Sequence, residues 1–177
     1  MNSTIIRKKK KCKTCQSLTY IFSHGNCKEC STIASTNKRV EKYQDELETE
    51  SIQNLIADLD VVMSQYIRNK YADNKGIVGC FTCSKKLPIA EMTNGHYISR
   101  SHYGLRFLPE NLRPQCVFCN GKHETDTEPF RQALERENKG ITEYLERLAR
   151  DVYKPTRDEL KELLIEYRYK LQAVKRK

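Results

Sequence analysis

The sequence has no tryptophan and no long apolar run among its 177 residues. No segment approaches the roughly 18 consecutive apolar residues of a membrane-spanning helix. The basic residues 7–11 are not followed by an apolar stretch, which excludes a secretory signal peptide. We therefore expect a soluble cytoplasmic protein that has no contact with a membrane.

Apolar residues are also scarce. Only 38% of the residues are hydrophobic and 31% are charged, so a single large core is not expected. Small cores of this kind usually need staples such as bound metal ions. The net charge is +9, with ten Lys and Arg against two acids in residues 1–42 and thirteen against nine in residues 129–177. Basic ends suit a polyanion such as nucleic acid, although basic tails that only aid solubility are an equal alternative.

No cysteine lies outside a C-x-x-C motif. All eight cysteines fall in C-x-x-C pairs, a spacing that lets two thiolates reach one tetrahedral ion. Cytoplasmic cysteines stay reduced, so the pairs indicate metal rather than disulfides. We predict two structural Zn²⁺ sites, each with four cysteine ligands. The first set is Cys12, Cys15, Cys27 and Cys30, and the second is Cys80, Cys83, Cys116 and Cys119.

The first cysteine set forms a compact unit, and its interior, residues 16–26, predicts a short hairpin around Leu18, Tyr20 and Phe22. This unit resembles a zinc ribbon. Such ribbons bind nucleic acid or protein, or only staple a chain terminus. The second set encloses 32 residues, which is too long for a bare ribbon, so its insert must hold structure of its own.

Within this insert, alternating apolar and polar residues around Tyr97 predict a strand with His96 at its head. Pro109 and Pro114 argue against a helix before the second cysteine pair. A helix is therefore expected only after Cys119. The resulting order is strand, loop, strand, zinc knuckle and helix, in an α+β fold with a ββα-metal arrangement flanked by helices.

The order Cys-x-x-Cys, Gly-His, Asn, Cys-x-x-Cys-Asn resembles the HNH, or His-Me finger, nucleases. The resemblance implies that His96 deprotonates the attacking water. It implies that Asn111 orients that histidine through backbone contacts, and that Asn120 binds a catalytic divalent ion, Mg²⁺ or Mn²⁺. The physical chemistry agrees, because a neutral histidine near pH 7 is a suitable general base. The plain alternatives are a structural histidine, a turn asparagine and an N-cap asparagine.

Several short motifs in order resemble the NinG (Rap) recombination proteins of lambdoid phages over roughly residues 60–175. The resemblance implies a DNA endonuclease that cleaves branched DNA such as Holliday junctions and recombination intermediates, in the host-cell cytoplasm if a phage encodes it. The motifs are Tyr66-Ile67-Arg68, Gly95-His96-Tyr97-Ile98-Ser99-Arg100, Leu105-Arg106-Phe107, Asn111 and Gln115-Cys116-x-x-Cys119-Asn120.

Gly95 departs from the broader HNH pattern, where many enzymes carry a metal-binding acid just before the base histidine. NinG-like proteins also read Gly-His, but the metal is left with fewer ligands. His123 lies at i+3 from Asn120 and is the preferred second ligand. The other candidates are Glu124, Glu91 and Asp126.

Three arginines of the insert are candidates for DNA contacts, because guanidinium groups match phosphate oxygens. They are Arg100, Arg106 and Arg113. The alternative is that they are simply solvated.

Four regions follow from these patterns. Residues 1–36 form the basic arm and ribbon, 37–74 one long amphipathic helix, 75–128 the nuclease unit and 129–177 three C-terminal helices. The helices at 52–67 and 156–171 carry apolar stripes, and Thr156 with Glu159 predicts a capping box at the start of the second. These stripes pack within the chain or make a homodimer, which would suit symmetric cleavage of a junction.

Two other functions remain open. One is an HNH nuclease for ordinary duplex DNA. The other is a non-catalytic zinc protein that binds DNA or a recombination partner, which the sparse metal ligands near Gly95 would suit.

Overall fold

The computed structural model describes residues 8–48 and 50–175. Arg7 and the last two basic residues, at 176–177, which were expected to contact phosphates, lie outside the described residues. The chain divides after Glu50 into two compact units. Each unit is described by itself below.

The first unit contains a two-stranded antiparallel sheet and one helix. Strand β1 (Lys10–Lys11) pairs with β2 (Leu18–Thr19), and helix α1 spans Lys28–Glu48. The hairpin therefore begins before the first cysteine pair. The prediction placed it inside residues 16–26 and is wrong on this point. The reason is that the knuckle itself makes the turn, since the Cys12 amide donates to the Ser17 carbonyl at 2.9 Å.

The second unit opens with helix α2 (Ile52–Lys70). The single helix predicted for residues 37–74 is thus wrong, because the chain forms α1 and α2 with a break between them. Ser51 has an extended backbone (φ −71°, ψ 154°), and its hydroxyl accepts a hydrogen bond from the Asn54 amide at 3.1 Å. A serine that satisfies an N-terminal amide in this way starts a new helix without any glycine or proline.

Helix α2 packs along α7 (Arg157–Val174). The rings of Tyr66 and Tyr167 meet edge to face at 5.2 Å, and Thr156 forms the predicted capping box with Glu159. The two apolar stripes are therefore used against each other within the chain, and a dimer would need another surface. The buried stripe residues are Leu55, Leu59, Met63 and Ile67 of α2 and Leu160, Leu164, Tyr167 and Leu171 of α7.

Two small antiparallel sheets follow α2. Strands β3 (Ile77–Gly79) and β4 (Lys86–Pro88) form the first. Strands β5 (Met92–His96) and β6 (Leu112–Cys116) form the second, with His96 opposite Leu112 and Met92 opposite Cys116. Helix α3 (Tyr103–Arg106) lies in the β5–β6 connection, and α4 (Val117–Lys122) follows β6 without a loop. The predicted α+β class is confirmed.

Helices α5 (Glu128–Glu137) and α6 (Ile141–Leu148) cover one side of the second unit. Their apolar faces join the β5–β6 connection in one core, which holds that connection in place. Within the described residues, no helix has the length and apolarity to cross a membrane. The buried members of this core are Tyr97, Leu105, Phe130, Leu134, Ile141 and Leu145.

Candidate metal centres and active site

Both predicted sets of four cysteines are gathered in space. In each set the four sulfur atoms lie within 4.8 Å of one another. The Cys15 and Cys27 sulfurs are 3.9 Å apart, and those of Cys83 and Cys116 are 4.0 Å apart. Four sulfurs about 2.3 Å from one zinc ion lie about 3.8 Å apart. Each cluster therefore has the dimensions of a tetrahedral zinc site.

Backbone amides point at the sulfurs in the same way in both clusters. The Cys27 amide donates to the Cys12 sulfur at 3.3 Å, and the Cys116 amide donates to the Cys80 sulfur at 3.3 Å. Amide donors stabilise thiolates. The pKa of Cys12 is lowered to about 6, chiefly by hydrogen bonds from the Cys15 and Cys27 amides.

Each cluster also contains a thiol whose pKa is raised. The neighbouring Cys27 sulfur raises the pKa of Cys30 to about 12, and burial with crowding by other sulfurs raises that of Cys119 to about 12. Four sulfurs this close cannot all ionise without a cation between them. Both clusters could hold a structural zinc ion, and four sulfur ligands would leave that ion no open position for substrate.

His96 is the last residue of β5, so the prediction that it heads a strand is wrong. The strand precedes it, over residues 92–96, and the chain then turns away. The His96 Nε2 atom lies 3.0 Å from the backbone carbonyl oxygen of Arg106. Because a carbonyl only accepts, Nε2 carries the proton in the neutral ring and Nδ1 is left as the acceptor. Burial lowers the pKa of His96 to about 4.

Asn111 is fully buried and is bonded to the residues that follow this histidine. Its side-chain oxygen accepts from the Ile98 amide at 2.7 Å, and its nitrogen donates to the Ile98 and Leu105 carbonyls, both at 3.0 Å. Its own carbonyl accepts from the Tyr97 amide at 3.0 Å. Asn111 therefore ties the segment after His96 to the α3 region that supplies the histidine's partner.

Asn120 and His123 lie at the far end of the cysteine knuckle. Helix α4 begins at Val117, earlier than the predicted start after Cys119, because Cys116 caps it: the Cys116 sulfur accepts from the Cys119 amide at 3.5 Å. Asn120 is thus inside the helix and not at its N-cap, and His123 ends it. The His123 Nε2 atom lies 3.0 Å from the Tyr97 carbonyl, while its Nδ1 is buried with no partner in the described part of the chain.

One cavity of about 880 Å³ connects these residues. It is lined by β5, the start of the β5–β6 connection, α4 and the flank of α2. His96, Asn120 and His123 therefore share one cavity, whereas Asn111 does not line it. The lining residues that matter here are Asp60, Arg68, Asn94, His96, Arg100, Asn120, His123 and Glu124.

A close contact with the paired strand explains why residue 95 is a glycine. A Cβ atom at this position would lie 2.1 Å from the side-chain oxygen of Gln115, a residue that is 1% exposed. No side chain fits at residue 95 beside Gln115, so the acid that many HNH enzymes carry at this position would have no room here. Asn94, one residue earlier, lines the cavity, and its side-chain oxygen is buried without a partner among the described residues.

The three arginines predicted to contact DNA have different surroundings. Arg113 is 8% exposed, pairs with Glu137 at 2.7 Å and donates to the Leu112 carbonyl at 2.7 Å. The prediction that it contacts phosphate is wrong, because its guanidinium is buried inside the fold. Arg106 is also engaged, in an ion pair with Asp60. Arg100 is exposed at the cavity wall.

Sequence reasoning missed Asp60 and Asn94. Asp60 sits on the polar side of α2, and its carboxylate holds the Arg106 guanidinium through two hydrogen bonds of 3.0 and 2.5 Å. Nothing local marks it, since its partner is 46 residues away. Asn94 directly precedes the Gly-His pair and could have been recognised from the strand, because residues two apart share a face of a strand.

Of the other proposed metal ligands, only Glu124 lines the cavity. Glu91 lies in an exposed turn before β5, and Asp126 accepts a hydrogen bond from the Glu128 amide at 3.2 Å. Among the described residues, the two cysteine clusters are the only groups of three or more His, Cys, Asp or Glu close enough to hold an ion. An ion near His96 would therefore depend on the single imidazole of His123, on amide oxygens and on water.

Comparison with known proteins gives one match. A family model described as the bacteriophage lambda NinG protein matches residues 28–177, which is most of the chain and includes α1 and every element of the second unit. No curated protein and no solved structure matches the chain. Residues 1–27, which carry three of the four cysteines of the first cluster, lie outside the match. On the strength of this match, the chain belongs to the family of the bacteriophage lambda NinG protein.

Proposed function

We propose that this protein is a metal-dependent DNA endonuclease of the HNH type that acts on branched recombination intermediates. Membership of the NinG family implies a function related to phage recombination. The observation that carries the proposal is the state of His96, whose Nε2 is held by the Arg106 carbonyl in a cavity shared with Asn120 and His123.

His96 would act as the general base. Its Nε2–H donates to a fixed carbonyl, so the Nδ1 lone pair is the one free to accept a proton from water. Its lowered pKa keeps the ring neutral at pH 7. Asn111 and Arg106 fix the backbone on either side of the connection, which limits the rotation of the imidazole.

A divalent ion, Mg²⁺ or Mn²⁺, would be held beside His96 by the neighbouring cavity residues. The unpartnered Nδ1 of His123 and the unpartnered oxygen of Asn94 fit this use, since both are buried lone pairs that lack a donor. Asn120 lines the same cavity. When bound, such an ion offsets charge that develops on the phosphate oxygens. Amide oxygens and water suit both Mg²⁺ and Mn²⁺, and Mn²⁺, as a transition-metal ion, also accepts an imidazole nitrogen.

The order of elements fits the same proposal. Strands β5 and β6 are antiparallel, and α4 follows β6 through the second cysteine pair. In this interpretation they form a ββα-metal unit, with the cysteine cluster as its staple and the cavity as its active site. Arg100, exposed at the cavity wall, would contact a phosphate of the bound DNA.

The test is a cleavage assay of the zinc-loaded full chain with Mg²⁺ or Mn²⁺ on a four-way junction, a flap and a linear duplex of equal length. We expect the junction and the flap to be cut and the duplex to be cut at least tenfold more slowly. Equal cutting of all three would favour an ordinary duplex nuclease. Binding of DNA without any cutting would favour a non-catalytic zinc protein and overturn the proposal.

A further inference from the structure

We propose that the first unit binds single-stranded nucleic acid, with Tyr20 and Phe22 stacking on bases and the adjoining lysines contacting phosphates. The aromatic and lysine side chains concerned lie between residues 8 and 22, outside the family match, and none of them is a cysteine ligand. The inference does not depend on cleavage, because the first unit would bind a strand whether or not His96 is a base.

The first observation is a row of exposed apolar side chains. Leu18, Tyr20 and Phe22 are 66%, 54% and 69% exposed, while Thr19 and Ile21 between them are half-buried. The alternation puts the three large side chains on one face of an extended segment. A unit of this size gains nothing by displaying two aromatic rings to water, and such a face marks an interaction site.

The second observation is the charge beside this face. Residues 8–27 contain five lysines and no acidic residue. Four of the lysines surround a hollow of about 430 Å³ that Tyr20 also lines, and the Lys9 ammonium lies 5.8 Å from the centre of the Tyr20 ring. The aromatic ring and the cations are thus parts of one surface. The lysines of the hollow are Lys8, Lys10, Lys11 and Lys13.

Aromatic rings next to lysines match the chemistry of a single strand. Its phosphates pair with ammonium groups, and its unstacked bases offer flat faces to aromatic rings. A duplex would satisfy the lysines but not the rings, because its bases are already stacked on one another. An acidic protein could also pair with the lysines. Such a partner would bind equally well if Tyr20 or Phe22 were an aliphatic residue, whereas stacking on a base requires an aromatic ring.

The backbone holds this surface in a fixed shape. The Lys13 amide donates to the Gly25 carbonyl at 3.0 Å, and Gly25 has a positive φ of 85°. Cys12 and Cys27 are buried, and the Cys27 amide donates to the Cys12 sulfur, which ties the two ends of this segment together. With zinc in the first cluster, the aromatic face would therefore be preformed and would lose little entropy on binding.

The experiment measures binding of labelled 20-nucleotide oligo-dT, oligo-rU and a duplex of equal length by fluorescence anisotropy. It uses the zinc-loaded full chain without Mg²⁺ or Mn²⁺, so no strand is cut. We expect a single strand to bind more tightly than the duplex. Preference for dT or for rU would identify the strand as DNA or RNA. Tyr20→Ala and Phe22→Ala should each weaken binding about tenfold or more.

The matched variants separate stacking from other uses of this face. Phe22→Trp should keep the affinity, whereas Phe22→Leu should lose as much as Phe22→Ala. Tyr169→Ala, which removes a tyrosine of α7 with 46% exposure, should leave binding unchanged. A content of two zinc ions per chain in every variant confirms that the first unit is folded.

Three results would overturn the inference. The first is equal affinity for single strand and duplex. The second is wild-type affinity in both Tyr20→Ala and Phe22→Ala. The third is wild-type affinity in Phe22→Leu. Failure of the nuclease proposal would look different. No substrate would be cut, while the affinities of the wild-type chain and its variants for single strands would still follow the pattern expected here.

Discussion

The Nε2 atom of His96 lies 3.0 Å from the carbonyl oxygen of Arg106, and the side chain of that same arginine is held by Asp60 on α2. Arg106 thus orients the imidazole of His96 through its backbone carbonyl, and Asp60 anchors Arg106 through its guanidinium. The position of the proposed base therefore depends on an ion pair between α2 and α3. Asp60 touches neither substrate nor metal in this account, and it acts as a positioning residue.

Asp60→Asn should slow cleavage of a four-way junction by about tenfold, because a small displacement of a catalytic group has a large effect on rate. The amide keeps one acceptor for Arg106 but loses the charge and the second hydrogen bond. We expect kcat to fall while KM changes little, since the change affects the orientation of His96 and not the contacts with DNA. Steady-state kinetics on the junction measure both.

Asp58→Asn is the matched control for this prediction. Asp58 lies on the same helix and pairs with Arg168 at 3.0 Å, away from the cavity. This exposed pair contributes little to stability, so cleavage should stay within about twofold of wild type. An equal loss in both variants would mean that the ion pairs only support the fold.

Gly95→Ala should destabilise the second unit by about 1–3 kcal/mol, since its Cβ would lie 2.1 Å from the Gln115 side-chain oxygen. Urea unfolding of the zinc-loaded chain measures the change. Gln115→Ala should recover part of the loss in the double variant, because it removes the clashing atoms. Gly79→Ala, where a new Cβ meets nothing within 4 Å, should cost much less. Equal costs at both glycines would contradict the clash.

The sequence predicted what depends on local spacing. Both cysteine clusters follow from the C-x-x-C pairs, and the Thr156 capping box follows from a four-residue motif. The α2–α7 stripes follow from helical periodicity, although not the choice between packing within the chain and a dimer. The break at Ser51 is hard to predict, because residues 38–72 contain no glycine or proline and only a serine N-cap marks it.

What depends on distant partners was not predictable. Arg113 was assigned to DNA because nothing near it in sequence shows that Glu137, 24 residues away, pairs with it. Asp60 was missed for the same reason. The sequence alone shows that Gly95 departs from the broader HNH pattern. The reason for the glycine is the Gln115 side chain on the opposite strand, and only the strand register reveals that contact.

Loss of zinc should affect the two units separately. Cys80→Ser should lower the metal content from two ions to one and abolish junction cleavage, because the cluster holds the strands and α4 around the cavity. Cys12→Ser should also lose one ion but keep cleavage, since its cluster lies in the other unit. A colorimetric zinc assay and the junction assay test both. Two ions retained in either variant would contradict the ligand assignment.

The pKa of His96 gives a prediction for pH. In the proposed mechanism its neutral form is the active one, and burial lowers its pKa to about 4. Between pH 7.5 and pH 5.5 the histidine therefore stays more than about 90% neutral, whereas a base with an ordinary pKa near 6.5 would lose about tenfold. Single-turnover rates over this range, with zinc content checked at each pH, should be nearly flat. A tenfold fall, with zinc retained, would mean that His96 is not the limiting base or is more solvated.

The most direct test compares single-turnover cleavage of a four-way junction by the wild-type chain, His96→Ala and His102→Ala, with Mn²⁺. His102 is an exposed histidine six residues away and serves as the matched control. We predict that His96→Ala loses at least about a hundredfold in rate, the usual contribution of a general base, while His102→Ala keeps the wild-type rate. Wild-type cleavage by a folded, zinc-loaded His96→Ala chain would contradict the account.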